Sequence, residues 1–123
     1  IYVHDYSVGI KLLTRLRLGF SHLNEHKFQH NFRDTLNPLC VCMTEPETTS
    51  HFLLRCCNLD NLRISLMNDL SYIYNSILSL TGNSLVNLLL FGSNKDNIIT
   101  NRTILTKVIN FNINTKRFEG AWY

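Results

Sequence analysis

All four cysteines of the chain fall beside one histidine in the stretch PLCVCMTEPETTSHFLLRCC, from Pro38 to Cys57. Cys40, Cys42, His51 and Cys56 follow the pattern C-x-C-x8-H-x4-C. Three thiolates and one imidazole make the ligand set of a closed tetrahedral structural Zn2+ site, with no position left for a substrate. Cys57 competes with Cys56 for the fourth position, and the spacing does not exclude it. Three other chemistries use the same residues: small buried hydrophobes gathered by chance, a disulfide, which needs an oxidising compartment, and a thiolate activated by His51. The last lacks an orienting group or an oxyanion donor in the sequence nearby. Clustering of every cysteine in so short a stretch favours the metal.

The backbone has to bring these ligands together. With only Val41 between them, Cys40 and Cys42 would face opposite sides of an extended strand, so a turn is expected there, below Pro38. His51 and Cys56 are out of register by about 140° on an ideal helix, so the HFLLR turn must end or unwind before Cys56. Thr48, Thr49 or Ser50 is expected to cap that turn. Glu45 and Glu47 suit its positive N-terminus, and either acid could orient the imidazole.

The rest of the chain reads as helices around this loop. Ser7 to Leu18 is expected as the first, burying Ile10, Leu13 and Leu16 and ending at Gly19. Ser21 is expected to cap a second, reaching Phe32, with Leu23, Phe28 and Phe32 in the core. His22, His26 and His30 would then share one side of it. Leu59 to Ile73 carries the stripe Leu59, Leu62, Leu66, Leu70 and Ile73. Ser84 is expected to cap a helix over Leu85–Phe91, closed by Gly92. A last helix is expected from Asp96 to Lys116, burying Ile98, Leu105, Val108 and Ile109 and leaving Arg102 and Lys107 outside. Its Asn and Thr content makes it a weak helix former that depends on packing.

The expected fold is therefore an all-α small helical domain. A zinc-clasped loop, residues 38–57, joins a basic N-terminal helix pair, residues 1–37, to a C-terminal helical bundle, residues 58–123, in one compact unit. With 45% hydrophobic and 17% charged residues in 123, the composition is globular. No apolar stretch is long enough to span a bilayer, so no membrane partner is expected. There is no signal peptide, which points to a reducing intracellular setting, nucleus or cytoplasm. The start at Ile1 fits a piece of a longer reading frame. No paired polymerase carboxylates, P-loop, dinucleotide fingerprint, G-x-S-x-G or H-E-x-x-H is present, so neither catalysis nor a small-molecule substrate is expected.

The strings LLTRLRLGFSHLNEHKF, LNPLCVC and EPETTSHFLLRC together resemble the C-terminal zinc-knuckle-like region of reverse transcriptases from non-LTR (LINE-type) retrotransposons. The shared pattern is an R-L-R-L-G helix end, a cysteine pair after proline, an acidic stretch and H-x-L-L-x-C, and it covers residues 11 to 66. Met43 stands where the family often has glycine, and Cys57 where it often has proline. The resemblance implies a nucleic-acid-binding module that lies downstream of a reverse-transcriptase domain, its partner in the parent chain, and holds template RNA or target DNA near the polymerase during target-primed reverse transcription. The sequence's own contribution is a net charge of +3, weighted to the first third, which permits nucleic acid. Candidate contacts are Lys11, Arg15, Arg17, His22, His26, Lys27 and Arg33, with Tyr72 and Tyr74 as further stacking rings. The competing class is a structural or protein-docking module on the polymerase domain, or a relic without a role.

Overall fold

A computed structural model describes residues 3–93 and 97–119, with side chains from residue 7 onward. The helix with the poorest intrinsic propensity is the central one. This helix, Ile98–Asn114, carries a stripe of Ile104, Val108, Ile109 and Phe111, all buried, and it is covered from three sides. Burial of that stripe supplies what propensity does not. Its start is fixed by Asn97, whose side-chain oxygen accepts the Thr100 N–H at 2.8 Å; the expected start at Asp96 lies outside the described residues. Ile98, expected in the core, is 75% exposed because it precedes the stripe, while Leu105 is half-buried against the core.

In chain order the helices are α1 (Val3–Leu18), α2 (Asn24–Gln29), α3 (Asp60–Ile73), α4 (Gly82–Phe91) and α5 (Ile98–Asn114), and α1, α3 and α4 all pack on α5. Helix α1 begins before Ser7 and buries Gly9, Leu12, Leu13 and Leu16, not Ile10. A strict three-residue step falls about 60° short of a full turn, so the true stripe mixes steps of three and four. Gly9 sits where α1 meets α5: a β-carbon there would overlap Ile109 Cγ2. Gly19, with φ +74°, ends the helix in the left-handed region as expected.

Helix α2 is shorter than the periodicity predicts. Ser21 does not cap it, Leu23 occupies the cap position, and Asn31 at φ +60° ends the turn. Leu23 is fully buried, but Phe28 and Phe32, expected in the core, are exposed. Helix α3 carries its expected stripe inward, with Leu66 and Leu70 buried and Leu59, Leu62 and Ile73 packed beside them. A short 3-10 turn, Asn75–Ser79, inserts Ile77 into the core before α4. Helix α4 starts at Gly82 and not at Leu85, so Ser84 lies inside its first turn; Gly92, at φ +76°, closes it.

The fold class is all-α. Among the described residues the one piece of β pairing is an isolated bridge between Leu39 and Pro46, and no helix is long and apolar enough to cross a membrane.

Candidate metal centre

Two local devices gather the ligands. The first is a narrow hairpin. Cys40 N–H donates to Glu45 O at 3.0 Å and Glu47 N–H to Pro38 O at 2.8 Å, while Met43 N–H closes a turn on Cys40 O at 2.9 Å. The turn folds Cys42 back beside Cys40, and Met43 takes the left-handed conformation, φ +66°, that glycine adopts without strain. The second device is a π-helical turn, His51–Arg55, entered through Thr48, whose hydroxyl accepts the His51 N–H at 3.0 Å. Cys56 N–H donates to His51 O, five residues back, at 2.9 Å. A turn closed at i+5 absorbs the register error that an α-helix would leave between His51 and Cys56.

The result is one compact cluster: the ligand atoms of Cys40, Cys42, His51 and Cys56 all lie within 4.8 Å of one another and could hold a metal ion. Cys40 Sγ and Cys56 Sγ are 3.7 Å apart, and Cys42 Sγ is 3.3 Å from His51 Nε2. All four cysteines are free. Cys57, which opens a 3-10 turn, is exposed, with its sulfur toward Asn58 Oδ1 at 3.9 Å. The geometry thus places Cys56, and not its neighbour, beside the other three.

Charged side chains flank the cluster. His51 is fully buried, and Glu45 Oε2 approaches its Nδ1 at 3.2 Å. That side of the ring faces the carboxylate, and Nε2 is turned toward sulfur. Arg55 grips the same carboxylate with Nε and Nη2 at 2.8 to 3.1 Å. That grip, more than His51, holds Glu45 below the usual carboxylate range. Burial pushes the Cys40 thiol up to about 12, whereas the Thr44 hydroxyl and amide draw Cys42 down to about 6. Cys42 is therefore the first thiolate available, and a cation is what would make ionisation of the buried Cys40 favourable.

The bundle clamps this loop from both sides. From α2, Asn24 N–H donates to Glu47 Oε1 at 2.7 Å and Asn24 Nδ2 to Leu39 O at 2.7 Å. From α3, Arg63 donates to Leu53 O at 2.9 Å and Phe52 O at 3.3 Å. Phe52 is buried between Phe111 and Phe118, with ring centroids at 5.7 and 5.3 Å. Just past α5, Arg117 bonds both oxygens of the buried Glu47 at 2.7 and 2.6 Å and His22 O at 2.9 Å. Of the two acids expected beside the His51 turn, Glu45 faces the imidazole, whereas Glu47 is taken up by Arg117 and Asn24; the spacing gives no sign of Arg117 or Phe52. Only HFLL, an apolar run where a solvated loop would be polar, signals the anchor.

The nucleic-acid candidates divide. Lys11, Arg15 and Arg33 are exposed, and Lys27, half-buried, pairs with Asp34 at 3.5 Å. Arg17 is turned away: its Nε donates to Leu90 O at 2.6 Å and its guanidinium lies over Phe91 at 5.1 Å, so it ties α1 to α4. His26 is buried and faces inward. Its Nδ1 accepts from Ser21 N–H at 3.2 Å and lies 2.6 Å from the Ser21 hydroxyl, while Nε2 lies 3.3 Å from Thr49 Oγ1. His22 is half-buried, set edge-on to Phe32, and precedes α2, so the three histidines do not share one helix face. Tyr72 is 89% exposed, while Tyr74 packs against the core. No family model, no curated protein and no solved structure matches this chain.

Proposed function

We propose that this chain is a nucleic-acid-binding module stapled by one structural Zn2+, the C-terminal part of an RNA-directed DNA polymerase of the non-LTR retrotransposon kind. The observation that carries the zinc reading is the spacing of the ligand atoms. Two sulfurs bound at about 2.3 Å in a tetrahedron stand about 3.8 Å apart, and a sulfur and an imidazole nitrogen about 3.5 Å. The 3.7 Å and 3.3 Å separations in the cluster fit that requirement. All four positions are filled by protein, so the ion has a structural role and no open site for catalysis.

Support for nucleic acid comes from the exposed cations Lys11, Arg15 and Arg33, joined by Lys27. The polymerase parentage rests on the resemblance of the R-L-R-L-G, P-x-C-x-C and H-x-L-L-x-C strings. Within that reading the module works in the reducing interior of the cell, nucleus or cytoplasm, and holds RNA or DNA near the upstream polymerase domain. Three or four phosphate contacts give a log-log salt slope of about −2 to −3 on single strands, from 0.7 per contact. A titration of affinity against salt checks this, and absent or salt-independent binding contradicts it. A docking role on the parent polymerase is favoured by a different observation, the exposure of Ile64, Tyr72 and Leu78 along α3 and the turn after it. That role predicts binding that barely responds to salt.

A further inference from the structure

The segment from Gly19 to Arg33 exposes three rings, two of which, Phe28 and Phe32, its apolar pattern assigns to the core. Phe20, Phe28 and Phe32 are 51%, 43% and 45% exposed. Single exposed apolar side chains are ordinary, but two of these rings are organised. Phe20 stacks on His30, with centroids 4.0 Å apart and planes within 12°, and Phe32 meets His22 edge-on at 6.1 Å. The backbone fixes both. Phe20 N–H donates to Arg15 O at 3.0 Å, Phe32 N–H donates to Lys27 O at 3.0 Å, and His30 Nε2 lies 3.3 Å from Gly19 O. Arg15, Lys27 and Arg33 lie within residues 15–34, whose two carboxylates are Glu25 and Asp34, the latter paired with Lys27 at 3.5 Å.

Fixed flat rings interleaved with cations are the two components of a single-strand platform: stacking surfaces for unpaired bases and charge for the backbone. A duplex buries its base faces, and α2, with six residues, is too short to read a groove as recognition helices do. We propose that Phe20 with His30, and Phe32 with His22, form a stacking platform for unpaired bases of single-stranded nucleic acid. The proposal rests on the nucleic-acid reading above and adds the form of the ligand and the rings that meet it.

The test uses the full chain loaded with zinc and fluorescence anisotropy on labelled oligo(U), oligo(dT) and a mixed-sequence duplex of equal length. Stacking is worth about 1–3 kcal/mol per base, so Phe20→Ala and Phe32→Ala each weaken single-strand binding about 5- to 150-fold. The salt slope stays unchanged, and RNA and DNA are affected alike, since stacking does not read the sugar. Phe20→Trp retains affinity, whereas Arg33→Gln lowers the salt slope by about 0.7. Both phenylalanines are on the surface, and an unchanged melting temperature in the variants confirms that the fold is intact. Unaltered single-strand affinity in Phe20→Ala/Phe32→Ala, as expected for a protein-docking patch, overturns this inference and leaves the module reading standing. So does an equal loss on duplex. Wild-type protein that binds none of the three probes overturns the module reading itself.

Discussion

Substituting Arg117 by Ala tests how the turn that follows α5 holds the Cys/His loop. The guanidinium makes two short bonds to Glu47, at 2.6 and 2.7 Å, and reaches His22 O at 2.9 Å and Asn24 Oδ1 at 3.3 Å. The Glu47 side chain is 4% exposed, so removing its partner leaves a buried carboxylate with Asn24 N–H as its remaining close donor. Breaking one side of a buried pair costs about 3–5 kcal/mol. Arg117 itself is 27% exposed, and solvent screening of its charge lowers the expectation to about 2–4 kcal/mol. For a domain of this size that is a fall in melting temperature of roughly 10 °C. Urea denaturation of zinc-loaded protein measures the loss, and Glu47→Gln with the double variant completes a cycle whose coupling should exceed about 1 kcal/mol. A loss under about 1 kcal/mol, or additive single effects, would refute the claim that this pair fastens the metal loop to the bundle.

Three further outcomes follow from single positions. Gly9→Ala drives a methyl into Ile109 Cγ2, so it destabilises by about 1–3 kcal/mol despite the better helix propensity of alanine; thermal melting that rises instead would show that α1 and α5 are not in close contact. Met43→Gly releases a left-handed strain of about 1–2 kcal/mol against a glycine entropy cost of about 0.5–1 kcal/mol. Met43 is 72% exposed and little packing is lost, so the net effect is a gain of roughly 0.5–1 kcal/mol in denaturant stability, and a clear loss would contradict the turn. His26 is held neutral, its pKa lowered from 6.5 chiefly by burial. The unfolded chain therefore takes up a proton first as pH falls, and the stability His26 contributes is full above about pH 6.5 and shrinks below it. The advantage of wild type over His26→Gln should narrow from pH 7 to pH 5.5 in denaturation curves, and a constant gap would refute the buried neutral ring.

Local periodicity made part of this architecture legible. Leu59, Leu62, Leu66, Leu70 and Ile73 announce α3 because a helix in a small domain must bury one stripe, and Gly19 and Gly92 end helices where φ is positive. The gathering of Cys40, Cys42, His51 and Cys56 was legible because four cysteines beside one histidine in so short a stretch leave few other readings. The choice between Cys56 and Cys57 was not, since it depends on a π-helical turn that lifts Cys56 over His51 and swings Cys57 outward. Phe28 and Phe32 look like core in any pattern of apolar spacing; only the early end of α2 at Asn31 shows that they are not. The Glu47–Arg117 pair joins residues seventy apart, a distance at which sequence gives no local signal. Met43 marks the reverse case: it holds a positive φ, 66°, that glycine would adopt without strain.

The central claim is that Cys40, Cys42, His51 and Cys56 hold one zinc ion. Metal analysis of purified wild type, Cys56→Ser and Cys57→Ser measures it directly. The account predicts one zinc per chain in wild type and in Cys57→Ser, and loss of stable zinc in Cys56→Ser. Wild type without zinc, or zinc kept by Cys56→Ser and lost by Cys57→Ser, would contradict it.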